Sequence, residues 1–148
     1  MWWTAKRRIG RLIDTDRVQV AIEAAERRTS GEIRISVAPW FWGNIDRAAD
    51  RAFERLGMTR TAMRNGVLFF LVPSRHTFVV RGDVGIHACV GQTFWDDLAA
   101  EMSSYFRRQA FTEGLLLGIE RTADQLAQHF PYQAGRDIDE LSNTIDWS

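Results

Sequence analysis

The sequence is short of cysteine, of proline and of excess charge of either sign. Its one cysteine, Cys89, excludes an internal disulfide, favours a reducing compartment and leaves no second thiol for a cysteine-based zinc motif. Lysine plus arginine and aspartate plus glutamate both number 19, so the formal net charge is zero and no basic excess argues for nucleic acid as a partner. No long apolar run exists. The longest, Val67 to Pro73, falls far below the roughly 20 residues needed to span a bilayer, so no transmembrane segment is expected. Lys6, Arg7 and Arg8 are not followed by the apolar stretch and small-residue cleavage site of a signal peptide. The simplest location is the cytoplasm, with peripheral membrane contact as the variant reading.

What is present is enough for one domain: 148 residues, 45% of them hydrophobic, can bury a real core. Residues 1–15 read as an N-terminal arm or short helix, in which Trp2, Trp3 and four basic residues suit a membrane interface and Ile9, Leu12 and Ile13 suit packing on the domain. The domain itself is expected over 16–131. Asp16 to Gln19 form a capping box for a helix with Val18, Ala21, Ile22 and Ala25 on one face. Glu32 to Val37 alternates as a strand, and Asn44 caps a second helix that Gly57 stops. Gly66 to Val72 is continuously apolar, as in a central strand covered on both faces, and a turn at 73–76 returns the chain through Thr77 to Gly82. The strand, helix, strand order predicts parallel pairing of the first two strands, and the short turn predicts antiparallel pairing of the third. Ile86 to Gln92 is expected to be irregular, with Thr93 capping the next helix. A last helix starts near Phe111 and ends before Pro131, with Gly114 and Gly118 permitting a close approach to the sheet. From Tyr132 the acidic tail has no periodicity and is expected to be mobile. The fold class is α/β, a three-layer α/β/α sandwich around a small mixed sheet.

Three stretches in this order, Arg64-Asn65-Gly66-Val67-Leu68-Phe69-Phe70, Gly82-Asp83-Val84-Gly85-Ile86 and Phe111-Thr112-Glu113-Gly114-Leu115, resemble the TPM domain family, as does Ser30 to Ile35. That family includes a thylakoid lumen acid phosphatase, a photosystem II repair protein and a modulator of acetylcholine-receptor channels. The resemblance covers about Val18 to Phe130. It implies an α/β/α domain, often tethered to membranes elsewhere, with calcium binding and weak acid-phosphatase activity in some members. The family pattern places acidic residues at three positions that here are Arg64, His87 and Gln92. Calcium takes six to eight oxygens, and an arginine in the shell opposes it. Asp83 and Asp96 stay near enough in sequence for a different divalent cation.

Strand pairing should gather Arg64, Asn65 and Asp83 at one sheet edge with Ser30 and Glu32, and His87 and Gln92 on the connection leaving it. Two readings stand. One is a polar pocket with Arg64 as the charge and His87 as a titratable group; the other is an Arg64 to Asp83 salt bridge closing the hairpin, with His87 packed under a loop. At the opposite edge, Trp40-Phe41-Trp42 is either an interaction surface or a cover in which both indoles pack and Phe41 protrudes. Catalytic signatures fail. Cys89 plus six reaches Trp95 rather than the arginine of a cysteine-phosphatase loop, His87 and Cys89 lack further zinc ligands, and Cys89 is read as a buried apolar residue. No serine, histidine and acid share a spacing that supports nucleophilic catalysis. The expectation is a TPM-like binding or adaptor module without catalysis, acting on an unidentified, membrane-associated protein. The alternative is a weak metal-assisted acid phosphatase.

Overall fold

Seven consecutive residues, Gly66 to Val72, are buried on both faces of a sheet, and the layers are arranged around them. A computed structural model of the chain describes residues 12–133 and 144–147. The described elements run α1 (Thr15–Glu26), β1 (Glu32–Val37), α2 (Ile45–Arg55), a 3-10 turn (Met58–Arg60), β2 (Gly66–Val72), a 3-10 turn (Pro73–Arg75), β3 (Thr77–Gly82), α3 (Val84–Arg107), α4 (Phe111–His129) and β4 (Asp146–Trp147). The sheet order is β3-β2-β1-β4. As the connections predict, β1 pairs parallel to β2, with Glu32 opposite Gly66, and β3 pairs antiparallel to β2.

Side-chain alternation divides the core. Val67, Phe69 and Leu71 of β2 join Ile33, Ile35 and Val37 of β1 against α1, α3 and α4. Leu68, Phe70 and Val72 face the other way, onto Ala48, Ala49 and Ala52 of α2. The small residues on α2 let it lie close to the sheet. A Cβ at Gly118 would sit 2.8 Å from the Phe69 ring, so α4 does approach the sheet there, whereas Gly114 makes room for Phe106 of α3.

Several local expectations are corrected. Asp14, not Asp16, caps α1: its side chain accepts from the Arg17 N–H, and its own N–H donates to Thr112 Oγ1 at 3.0 Å. The stretch from Ile86 is helical instead of irregular, because Asp83 caps it ten residues earlier than expected; Thr93 lies inside α3. The helix axis breaks at Gly91, with φ 76° and ψ 169°, a conformation nearly restricted to glycine. Cys89 is exposed on the first segment of α3 and does not enter the core.

The tail also departs from expectation. Asp146 and Trp147 form β4, parallel to β1, with Ser36 opposite Asp146. Ile145 enters the three-helix core and Trp147 packs against it. On the other face Asp146 accepts from Ser36 Oγ at 2.7 Å and from both terminal nitrogens of Arg55 at 3.2 and 2.8 Å. Residues 16 and 131 are therefore too narrow as limits of the packed unit, since Ile13 and Ile145 are both core. The proposed membrane contact of Trp2 and Trp3 lies outside the described residues, as does the tail over 134–143.

Burial pushes the Asp146 carboxyl up, but hydrogen bonds from Arg55 and Ser36 and the charges of Arg55 and Arg34 outweigh it and hold it below its ordinary value of 3.8. Stability from a depressed carboxylate is present above the unfolded value and lost as pH falls through the folded one. The difference in melting temperature between wild type and Asp146→Asn is accordingly expected to be steady near neutral pH and to close below pH 3.8 in a pH series of thermal melts. Gly91→Ala meets open space yet should cost about 1–3 kcal/mol by backbone strain alone. At this chain length that is a fall of roughly 3–10 °C.

Candidate functional site

The edge where β1 and β2 begin and β3 ends is held by main-chain bonds. Asp83 N–H donates to the Gly66 carbonyl at 2.9 Å, Gly85 N–H to the Arg64 carbonyl at 2.8 Å, and Glu32 N–H to the Asn65 carbonyl at 3.4 Å. Gly85 is required here because a Cβ would lie 2.2 Å from the Met63 carbonyl oxygen. These bonds bring Ser30, Glu32, Arg64, Asn65 and Asp83 to one edge. Arg64 takes a left-handed backbone, φ 52°, at the bend into β2.

From that bend Arg64 reaches Asp83 in a bidentate pair, Nε to Oδ2 at 2.6 Å and Nη2 to Oδ1 at 2.8 Å. Oδ1 also accepts from the Val84 N–H, capping α3. The Asp83 side chain is 4% exposed and that of Arg64 44%. Of the two readings of this edge, the geometry is the salt bridge. The hydrogen bond to Asp83 raises the already high Arg64 value, burial opposes it, and the Asp83 and Glu54 charges add to it, so the guanidinium stays charged throughout.

His87 is not packed under a loop. It is exposed one helical turn beyond Asp83, and its Nδ1 accepts from Trp95 Nε1–H at 3.0 Å across the Gly91 break. That bond leaves Nε2 to carry the proton as a donor. Gln92 stands apart, exposed, donating to Asp96 Oδ1 at 3.0 Å. Buried Asn65 donates through Nδ2 to Ser30 Oγ at 3.4 Å, while its N–H donates to Thr61 Oγ1. Thus Arg64 pairs with Asp83, Asn65 beside them bonds instead to Ser30 and Thr61, and Gln92 joins neither.

Beside the pair is an open cleft of about 320 Å³ lined by Asp50, Phe53, Glu54, Arg81, Gly82, Asp83, Val84 and His87. The α2 residues were not anticipated from sequence. A signal was available: Asp46, Asp50 and Glu54 recur every four residues along one helix face. Arg81 of β3 bridges the first two at 2.9 Å each. Burial pulls the Arg81 guanidinium down, and the carboxylates of Asp50 and Asp46 more than offset it.

The family model described as the TPM domain matches residues 12–125. The chain belongs to the TPM domain family. Its fold is similar to the solution structure of the BA42 protein from the psychrophilic bacterium Bizionia argentinensis, at 36% identity and a TM-score of 0.83, over 90% of this chain and 92% of that one. The N-terminal domain of the cg2496 protein from Corynebacterium glutamicum shares the fold at 12% identity and a TM-score of 0.59, over 83% of this chain and 76% of that one. No curated protein matches the chain.

Within this TPM domain the donor set does not fit the calcium that the family resemblance implies. Asp83 spends its oxygens on Arg64 and the helix cap, and the flanking family positions carry a guanidinium, an imidazole and an amide. Among the described residues no three His, Cys, Asp or Glu side chains are grouped to hold a metal ion.

Two outcomes follow. Asp83→Ala, which removes the cap as well as the charge, should cost at least about 1 kcal/mol, and Asp83→Asn, which can still cap, should cost less; chemical denaturation compares them. In thermal melts with excess calcium, wild type should show no saturable rise, whereas Arg64→Asp/His87→Glu, which frees Asp83 and adds carboxylates beside it, should gain one.

Proposed function

We propose that this TPM domain is a binding module without a catalytic role, and that it meets a protein partner through Trp40 and Trp42. The observation that carries the reading is the exposure of two indoles, 55% at Trp40 and 85% at Trp42, on a loop whose other parts are fixed. Phe41 points inward and packs against the α2 side of the core, opposite to the arrangement in which the indoles cover the sheet and Phe41 protrudes. Arg75 Nη1 donates to the Gly43 carbonyl at 2.9 Å, and Asn44 caps α2 by accepting from the Arg47 N–H at 3.0 Å.

Such a loop holds its two large rings apart from the core in a set position. Exposed tryptophan buries much area on contact, and a fixed loop loses little conformational entropy when it binds. The alternative, a metal-assisted phosphomonoesterase, would need Asp83 as a ligand or base. Its pairing with Arg64 supports the binding reading instead.

Trp40→Ser/Trp42→Ser is expected to change stability by no more than about 0.5 kcal/mol, as for surface sites. In affinity capture from the native host, a protein retained by wild type should be lost with the double variant. Unchanged capture would remove the loop from the interface, and indole-dependent binding to lipid vesicles in place of protein would assign the surface to a membrane. Turnover of a phosphomonoester by wild type that disappears in Asp83→Ala would overturn the non-catalytic reading.

A further inference from the structure

The loop that carries Trp40 and Trp42 is joined to two further turns by side-chain contacts. Arg75, in the turn between β2 and β3, donates through Nη1 to the Gly43 carbonyl at 2.9 Å, so the aromatic loop and that turn lie side by side. One residue on, His76 Nε2 meets Gln109 Nε2 at 3.1 Å, and the His76 ring stands edge-on to Phe111 with centroids 6.1 Å apart. These contacts bring the connection between α3 and α4 against the same turn. His76 and Gln109 both hold left-handed backbones, at φ 49° and 62°. Residues other than glycine persist there only where the surroundings over-determine them, and here each turn holds the other.

The charge on this set of turns is of one sign. Arg75, Arg107 and Arg108 are exposed, and none of them has a carboxylate partner among the described residues. Arg75 spends one nitrogen on a neutral carbonyl, and the Arg108 guanidinium lies 4.7 Å from the centre of the Tyr105 ring, which positions it without neutralising it. The acidic groups nearest this end are answered within the chain. Asp46 is held by Arg81, while Glu113 and Asp14 stand at the N-termini of α4 and α1, where the helix dipole favours them.

We infer that the protein partner met by Trp40 and Trp42 is an acidic segment, whose carboxylates pair with Arg107 and Arg108 while its apolar side chains pack on the indoles. This rests on the reading of the aromatic loop as the interaction surface. Charge complementarity selects the occupant: guanidiniums set beside exposed rings accept carboxylates in bidentate pairs and repel a basic segment. Little has to be ordered on contact, because the loop, the turn and the connection already brace one another.

The test selects a random peptide library displayed on phage against wild type, with counter-selection on Trp40→Ser/Trp42→Ser, and synthesises an enriched peptide for titration. The expected peptide carries net negative charge and an aromatic or aliphatic residue. Its affinity should fall about tenfold in Arg107→Gln/Arg108→Gln, as for two exposed ion pairs, and should weaken as salt is added. Arg75 is left unchanged because its bond fixes the loop. Indole-dependent peptides without acidic excess, or acidic ones bound equally by the arginine variant, overturn the inference and leave the loop reading standing. If the arginine variant fails to fold, the salt titration on wild type decides, and affinity independent of salt overturns the inference. A selection with no indole-dependent peptide removes the loop from the interface, and the inference falls with it. Binding to phosphatidylserine vesicles that both variants lose, with no peptide retained, assigns these charges to a membrane and overturns the acidic segment as partner.

Discussion

Strand β2 has no solvent-facing side, and that constraint organises the molecule. Its even and odd residues face different layers, so both faces must be covered by apolar surface. The crossover helix α2 covers one face and α1, α3 and α4 the other, which is a division of labour forced by a short right-handed crossover. Covering β2 fixes its ends, and its first residue fixes the polar edge: Gly66 accepts from Asp83 while Arg64 turns through a left-handed bend to reach the same carboxylate. The ion pair is thus a consequence of where β2 must begin.

At that edge the scaffold of the TPM family carries an ion pair. A buried carboxylate at a helix N-terminus needs compensation, from a cation or from donors. Here the compensation is built into the chain as a guanidinium and a helix N–H. A guanidinium on the same strand entry fills the role that a hard cation could fill among acidic side chains, and it does so permanently. The residue that most changes the site's chemistry, Arg64, is therefore also one that holds the hairpin to α3. The neighbouring cleft keeps its own charges largely within itself, through Arg81 and the acidic row of α2.

The loop proposed to bind lies at one end of the sheet. The parallel strands β1 and β2 end at the loop that carries Trp40 and Trp42, and β1 is also the strand whose outer face α2 leaves uncovered. The second feature follows from one helix packing on β2 and β3 of a four-stranded sheet, which leaves the far margin to other groups. The chain uses Phe41, Asn44 and Arg75 to fix the loop, and Arg55 and Ser36 to fix the segment at Asp146.

Hydrophobic period was sufficient to read β1, β2, β3 and their pairing, the two helices α2 and α4, and the polar edge, because these depend on local alternation and on short connections. The family was legible for the same reason, in short motifs whose order is set by that framework. The start of α3 was misread because Gly85 and Gly91 weaken a helix locally, and only contact with the Met63 and Arg64 carbonyls shows why the first is needed. Asp146 and Trp147 carry no period long enough to mark a strand; their pairing is created by Arg55 and Ser36, 91 and 110 residues away in the chain. The sequence by itself determined the layers and placed Arg64 beside Asp83. Which indoles face solvent, and that Asp83 is spent on Arg64, were decided by the tertiary structure, because burial and ion pairing depend on groups that sequence separation conceals.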